Sequence, residues 1–148
     1  MTERTSSIEW SFRADDALDA LRMRQVVRSF LEAEGDPTHS DLAGAVLVFG
    51  ELVGNVVRHA PGQISVRIDW RDGEAPRLTV EDSGPGLRDV PSLPPDHDPW
   101  RESGRGFEIV RALGSRVRVT ERARGGSRIE VTLPVHRRPP PAPRRIEN

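Results

Sequence analysis

Residues 41–60 read Asp41-Leu-Ala-Gly-Ala-Val-Leu-Val-Phe-Gly-Glu51-Leu-Val-Gly-Asn55-Val-Val-Arg-His59-Ala60, and the rest of the chain is interpreted around them. Leu42, Val46, Phe49, Val53, Val56 and Val57 recur at intervals of three and four, the pattern of a helix with a buried face. Glu51 and Asn55 stand one turn apart, and Arg58 and His59 continue the polar stripe. Gly50 and Gly54 lie inside the helix, where each costs about 1 kcal/mol relative to alanine. Such glycines imply a close approach to the backbone, either by a second helix or by a ligand phosphate lying over Gly54 beside Asn55. The helix alone leaves both open.

Working outward, the flanking segments change period from helix to strand. Residues 63–70 alternate cleanly, with Ile64, Val66, Ile68 and Trp70 on one side. Residues 71–76 form a turn, and 77–81 alternate again with Leu78 and Val80 inward. Upstream, residues 7–12 read as a short strand and 14–34 as a helix carrying Ala17, Leu21, Val27, Phe30 and Leu31 on its apolar positions. Asp15 and Asp16 in its first turn suit the helix dipole, and Gly35 follows its end. Thr38 and Asp41 have capping-box spacing at the entry to the central helix, and Pro61 ends it.

Residues 87–103 hold four prolines and no period, the mark of a functional or mobile loop. A short helix over 104–113 and a hairpin of 115–121 with 127–134 complete the pattern. Residues 1–135 are expected to form a single domain and 136–148 a disordered Pro/Arg-rich tail. Strands in runs, covered by about three helices, predict a two-layer α/β (α+β) sandwich with a mixed, largely antiparallel sheet. The order is not βαβαβ, which argues against a doubly wound sheet.

Composition narrows the chemistry. The 148 residues carry a net charge of −1 with both signs interspersed, so nothing draws the whole chain toward nucleic acid or an anionic membrane. With no long apolar run and no apolar leader core, the expected location is the cytoplasm. There is no cysteine, which removes disulfides, thiolate metal sites and cysteine nucleophiles. Every basic residue is arginine, so neither a P-loop lysine nor the strand lysine of ordinary protein kinases is available.

Two glycine clusters remain. Glu81-Asp82-Ser-Gly84-Pro-Gly86 follows a strand, and Ser103-Gly104-Arg105-Gly106 precedes a helix. Neither extends to GxGxxG, because Asp89 and Ile109 occupy the sixth positions. A helix start preceded by Gly-x-Gly offers backbone N–H groups to an anion. A carboxylate at a strand end, with glycines beside it, can accept from an exocyclic amine such as that of adenine. Glu51 and Asn55 add a carboxylate for a base and an amide oxygen for a hard cation.

Together these motifs resemble the three boxes of the GHKL ATPases, the superfamily of gyrase, histidine kinases and MutL built on the Bergerat fold. Glu51 to Ala60 resembles the N box, Asp82 to Gly86 the first glycine box, and Gly104 to Gly106 the second. The match runs over residues 8–135, with a lid-like loop between the glycine boxes. Within the superfamily the chain is most similar to the free-standing serine kinases that act as anti-sigma factors.

The resemblance implies ATP and Mg²⁺ as ligands. It makes Asn55 the metal ligand, Glu51 the base, and Asp82 the reader of the adenine amine. It gives Gly84 and Gly86 close approach to the nucleotide, and Gly104, Arg105 and Gly106 the phosphates. Arg58 lies near the same face, and Ser127 stands where many members carry Thr, as a hydroxyl able to donate to a phosphate. Gly54 departs from the small hydroxylated or methyl side chain expected there. None of His39, His59, His97 or His136 lies in a helical phosphorylation motif, which argues against a self-contained sensor histidine kinase. The expected activity is a protein serine/threonine kinase that phosphorylates a STAS-domain antagonist and sequesters a sigma factor, as a homodimer through the first strand and helix. The alternative is an ATP-dependent binding module with little or no phosphotransfer.

Overall fold

In the computed structural model, which describes residues 3–13, 17–59, 62–82, 106–122, 125–139 and 144–145, five strands build one sheet with one apolar face. Of residues 17–21, 58, 59, 106 and 107 the backbone alone is described. The strands are β1 (Thr5–Arg13), β2 (Gln63–Arg71), β3 (Arg77–Asp82), β4 (Ser115–Glu121) and β5 (Ser127–Thr132). The helices are α1 (Ala17–Glu34), α2 (Leu42–His59) and α3 (Gly106–Leu113). The sheet order is β1-β2-β3-β5-β4, and the largely antiparallel sheet expected from the sequence is antiparallel at each described pairing.

Strand parity decides which side is covered. On β2, Ile64, Val66, Ile68 and Trp70 are fully buried, while Arg67 and Arg71 between them are exposed. Register carries this parity to the neighbours, pairing Ile8 with Ile68, Phe12 with Ile64, and Val80 with both Val66 and Ile129. Helix α2 lies on the apolar side with α1 and α3 beside it. Phe49 and Leu52 of α2 join Val27 and Leu31 of α1 and Val110 of α3 in the same core as the strands. Each fully buried Val, Leu, Ile or Phe contributes about 1.5–3 kcal/mol, so the alternating pattern selects this arrangement over any one-residue slip.

Two expectations at α2 change in detail. Asp41 is itself the cap of the helix: the Gly44 N–H donates to its Oδ1 at 2.9 Å. Thr38 does not cap; its N–H donates to Asp36 Oδ1 at 2.9 Å within the preceding turn. Ala45, Val48 and Leu52 are also fully buried, so α2 is enclosed on more than the single stripe read from the sequence. The described helices include none long and apolar enough to cross a membrane.

The first residues of the Pro/Arg-rich tail belong to the fold. Residues 134–138 run beside the α1–α2 connection: Asp41 N–H donates to Pro134 O at 2.8 Å, Asp36 N–H to His136 O at 2.7 Å, and Arg138 N–H to Glu34 O at 2.7 Å. Arg137, with its side chain 6% exposed, reaches Glu34 Oε2 and Asp72 Oδ1, each at 2.7 Å, and its guanidinium lies 4.8 Å from the Trp70 ring centre. It thereby ties the end of α1 to the β2–β3 turn and to the start of β1, where it also donates to Arg4 O.

The hydrogen bond from Arg137, reinforced by the Arg4 N–H, holds the Asp72 carboxyl below its ordinary value of 3.8. A depressed folded-state pKa contributes stability that is present above the unfolded value and is lost as pH falls through the folded one. Arg137→Ala is expected to lower the melting temperature by on the order of 5 °C near neutral pH. Melting curves from about pH 7 down to about pH 3 should show the gap to the wild type narrowing on the acid side. A gap constant across that range means that Asp72 is not coupled to Arg137.

Candidate functional site

The ends of four elements meet at one edge of the sheet. Gln63 begins β2 shortly after α2 ends at His59, and Ile64 is paired with Asp82, the last residue of β3. Glu81 pairs with Arg128, which sets Asp82 beside Ser127 at the start of β5. Helix α3 finishes at Leu113 just before Ser115, which pairs with Thr132 at the far edge, and α3 packs against α2.

Asp82 is a carboxylate on the apolar face. Parity places it on the side of Leu78 and Val80, where it is buried. Burial of an ion is tolerated only with hydrogen bonds to it. Ser127 supplies two, from Oγ at 2.5 Å and from the backbone N–H at 3.1 Å, both to Asp82 Oδ2. Arg122 Nη1 donates to the Asp82 carbonyl oxygen at 3.1 Å. Ser127, expected as a phosphate donor, is thus committed in this structure to positioning Asp82.

The hairpin glycine before Ser127 closes the cluster. Gly126 has φ of 86°, in the left-handed region, and a Cβ there would run into the Asp82 carbonyl oxygen. The sequence signal for this residue was the hairpin pair Gly125-Gly126; its contact with Asp82 was not visible there.

Glu51 and Asn55, one turn apart on α2, occupy different environments. Asn55 is fully buried, on the side of Leu52 and Val48, whereas Glu51 is partly exposed on the outward stripe that includes Leu47. The two interior glycines also separate. At Gly50 a Cβ would meet the guanidinium of Arg24 on α1, the far end of an exposed, flexible side chain that can move aside. At Gly54 a Cβ would meet no described heavy atom within 4 Å, which leaves room on α2 next to Asn55.

Gly106 is the first residue of α3. Gly84, Gly86, Gly104 and Arg105, with the 87–103 loop, lie outside the described residues, as do the side chains of Arg58 and His59. The arrangement therefore offers a buried acceptor at a strand end, a buried amide and a half-exposed carboxylate on one helix, and open space by Gly54.

Gly126→Ala should destabilise the fold by about 2 kcal/mol, read from denaturant unfolding, because left-handed backbone disfavours Cβ and the Asp82 carbonyl must move. Ser127→Ala should weaken any ligand that bonds to Asp82, while Ser127→Thr, which keeps the hydroxyl, should restore it. Equal behaviour of the two variants in a binding titration means the hydroxyl does not position the carboxylate.

Known proteins give an independent comparison. Residues 40–137 match the family described as Histidine kinase-, DNA gyrase B-, and HSP90-like ATPase. A "Sensor histidine kinase component HK1" of Mycobacterium tuberculosis (strain ATCC 25618 / H37Rv) is 35% identical over 101 residues, covering 60% of this chain and 59% of that protein. A "Probable sensor histidine kinase HK" of M. tuberculosis (strain CDC 1551 / Oshkosh) is also 35% identical, and there the chain spans only 26% of the relative's length. An "Anti-sigma F factor" of Pasteuria penetrans is 33% identical over 106 residues, covering 65% of this chain and 69% of that protein. Among solved structures, a histidine kinase domain from Erythrobacter litoralis EL346 aligns at TM-score 0.49 and 22% identity, covering 78% of this chain and 59% of that one. The family match takes in α2, the Asp82 edge and the β4–β5 hairpin together, and the chain belongs to the histidine kinase-, DNA gyrase B- and HSP90-like (GHKL) ATPase family.

Proposed function

We propose that this chain is an ATP-binding protein serine/threonine kinase of the anti-sigma-factor type, acting on a STAS-domain antagonist and sequestering a sigma factor. The observation that carries the nucleotide part is Asp82, a buried carboxylate held by Ser127 at the mouth of the sheet. The anti-sigma part is supported by the Pasteuria relative, 69% of whose length is matched. Its location in the cytoplasm and a homodimer through β1 and α1 belong to the same reading.

The residues present suit the ligands this reading requires. Asp82 accepts from the adenine amine, and the space beside Gly54 admits the phosphate end of the nucleotide. Mg²⁺, when bound, neutralises charge on the triphosphate, with the Asn55 amide oxygen as its protein ligand. The same reading assigns Gly84 and Gly86 to close approach of the nucleotide, and Gly104, Arg105, Gly106 and Arg58 to its phosphates. Glu51, half-exposed on the outward side of α2, is placed to meet a hydroxyl arriving from a partner protein. It accepts the Ser or Thr proton as that oxygen attacks the γ-phosphorus, and ADP leaves with the electron pair of the broken P–O bond.

A second reading is favoured by the two sensor histidine kinases at 35% identity: a nucleotide-binding part that delivers phosphate to a histidine on another chain. A third is a module that holds a partner under ATP control with little or no transfer. The phosphorylated product separates them, because phosphohistidine is acid-labile and phosphoserine is acid-stable.

Titration calorimetry with ATP should show binding that needs Mg²⁺ and weakens at least about tenfold, roughly 1.4 kcal/mol, in Asn55→Ala. Absence of binding at millimolar-range ATP removes the kinase reading. Glu51→Gln should keep ATP affinity within a few-fold while transfer to a STAS protein falls about 10²–10⁴-fold. Undiminished transfer in that variant means another group is the base.

A further inference from the structure

The side of the sheet away from the helices carries a second concavity, at the edge opposite Asp82. It has a volume of about 780 Å³ and lies where β2 ends, β3 begins and β4 begins. Four arginines line it: Arg67, Arg71, Arg77 and Arg116. Arg67 is neutralised by Asp69 at 2.9 Å. Arg71, Arg77 and Arg116 have no carboxylate partner among the described residues, and Glu74 is the remaining acid in the lining. Thr5 and Ser7 of β1 and Thr132 of β5 add hydroxyl groups.

The register of β4 on β5 breaks beside this groove. Ser115 pairs with Thr132 and Arg118 with Glu130, so residues 116 and 117 together oppose Val131. Val117 packs against the core, and Arg116, at φ of 51°, lines the open side. Positive φ is rare for an arginine and disfavoured by its Cβ. Alternation back from Val119 and Val117 already puts Arg116 on the open side, and the bulge brings Ser115, paired with Thr132, to that side beside it.

Spacing identifies the kind of ligand. Arg71 and Arg77 stand on neighbouring strands, but Arg116 lies on β4, three strand spacings from β2, or about 14 Å. A chain bearing several charges can engage both ends at once. An extended chain rises about 3.3 Å per residue, so acidic side chains about four residues apart can reach both. The lining is mostly polar, unlike the mostly apolar lining of small-molecule pockets.

We infer that this groove docks an extended acidic segment of a partner protein, on the opposite face and opposite edge from the candidate nucleotide site. The surface is set by β-strand residues and does not depend on how the Asp82 edge is read.

The test uses the full chain and a fluorescein-labelled hexaglutamate peptide, followed by anisotropy at low salt. The wild type should bind, with affinity falling as salt rises. Arg71→Ser/Arg77→Ser/Arg116→Gly should weaken binding at least about tenfold, as three exposed ionic contacts of up to about 1 kcal/mol each allow. The charge-matched control Arg118→Ser/Arg144→Ser/Arg145→Ser should bind like the wild type. Independently of variants, amide chemical shifts of the wild type on adding the peptide should move around Thr5, Gly73, Arg77 and Arg116. The inference fails if the wild type does not bind, if both triple variants lose affinity equally, or if the shifts map elsewhere. It also fails if equimolar inorganic phosphate displaces the peptide, which would mark a small-anion site. ATP binding is measured on the same samples, so loss at the groove and loss at the Asp82 edge are read separately.

Discussion

Everything in this molecule depends on one apolar plane, formed by Ile64, Val66, Ile68 and Trp70 of β2 with Leu78 and Val80 of β3. These side chains share a face because successive residues of a strand point in opposite directions, and a one-residue slip would carry all of them to water. Helix α2 covers that plane and is itself enclosed by α1 and α3. The plane also dictates the electrostatics of its own margin. Its parity continues one step past Val80 to Asp82, so the same rule that buries valine and leucine buries a carboxylate. That carboxylate is stable there because Ser127, on the adjacent strand, supplies hydrogen bonds from both its hydroxyl and its backbone.

Helix α2 has to serve packing and chemistry with the same turns. Gly50 lies beside the Arg24 guanidinium of α1, while no described heavy atom would meet a Cβ at Gly54. Asn55 points with the core residues and Glu51 points away from them. A buried amide and a half-exposed carboxylate one turn apart suit a division of labour, with one group holding and the other meeting what arrives from solvent. Among the described residues no helix covers the opposite side of the sheet. There Arg67 pairs with Asp69 and Arg128 with Glu81, whereas Arg71, Arg77 and Arg116 gather without such partners around one concavity.

Much of this was legible in the residues because it is local. The periods of β2, β3 and α2 are visible in any short window, and the strand and helix spans read from them agree with the structure to within about three residues at each end where described. Asp82 could be singled out because a carboxylate and two glycines follow an apolar strand. The helix cap was misread by one motif: Asp36, Thr38 and Asp41 are all capping types, and only the fold decides which of them meets a free N–H. Arg137 could not be distinguished from its three neighbours in the tail, since composition marks the whole segment as polar and Pro-rich. Its docking depends on Glu34, Asp72 and Trp70, which are distant in sequence.

The sequence by itself determined the two-layer architecture, the family motifs and the identity of the groups able to do chemistry, because each rests on periodicity or on short spacing. Tertiary structure decided what those groups face. It separated Glu51 from Asn55 by burial, turned Ser127 toward Asp82, and drew Arg137 under the β2–β3 turn. It also brought Ser115 onto the open side beside Arg116, through a bulge whose register involves β5. The physical reason is common to all four. A side chain's environment is set by which distant segment packs against it, and that contact has no signature in the residues immediately around it.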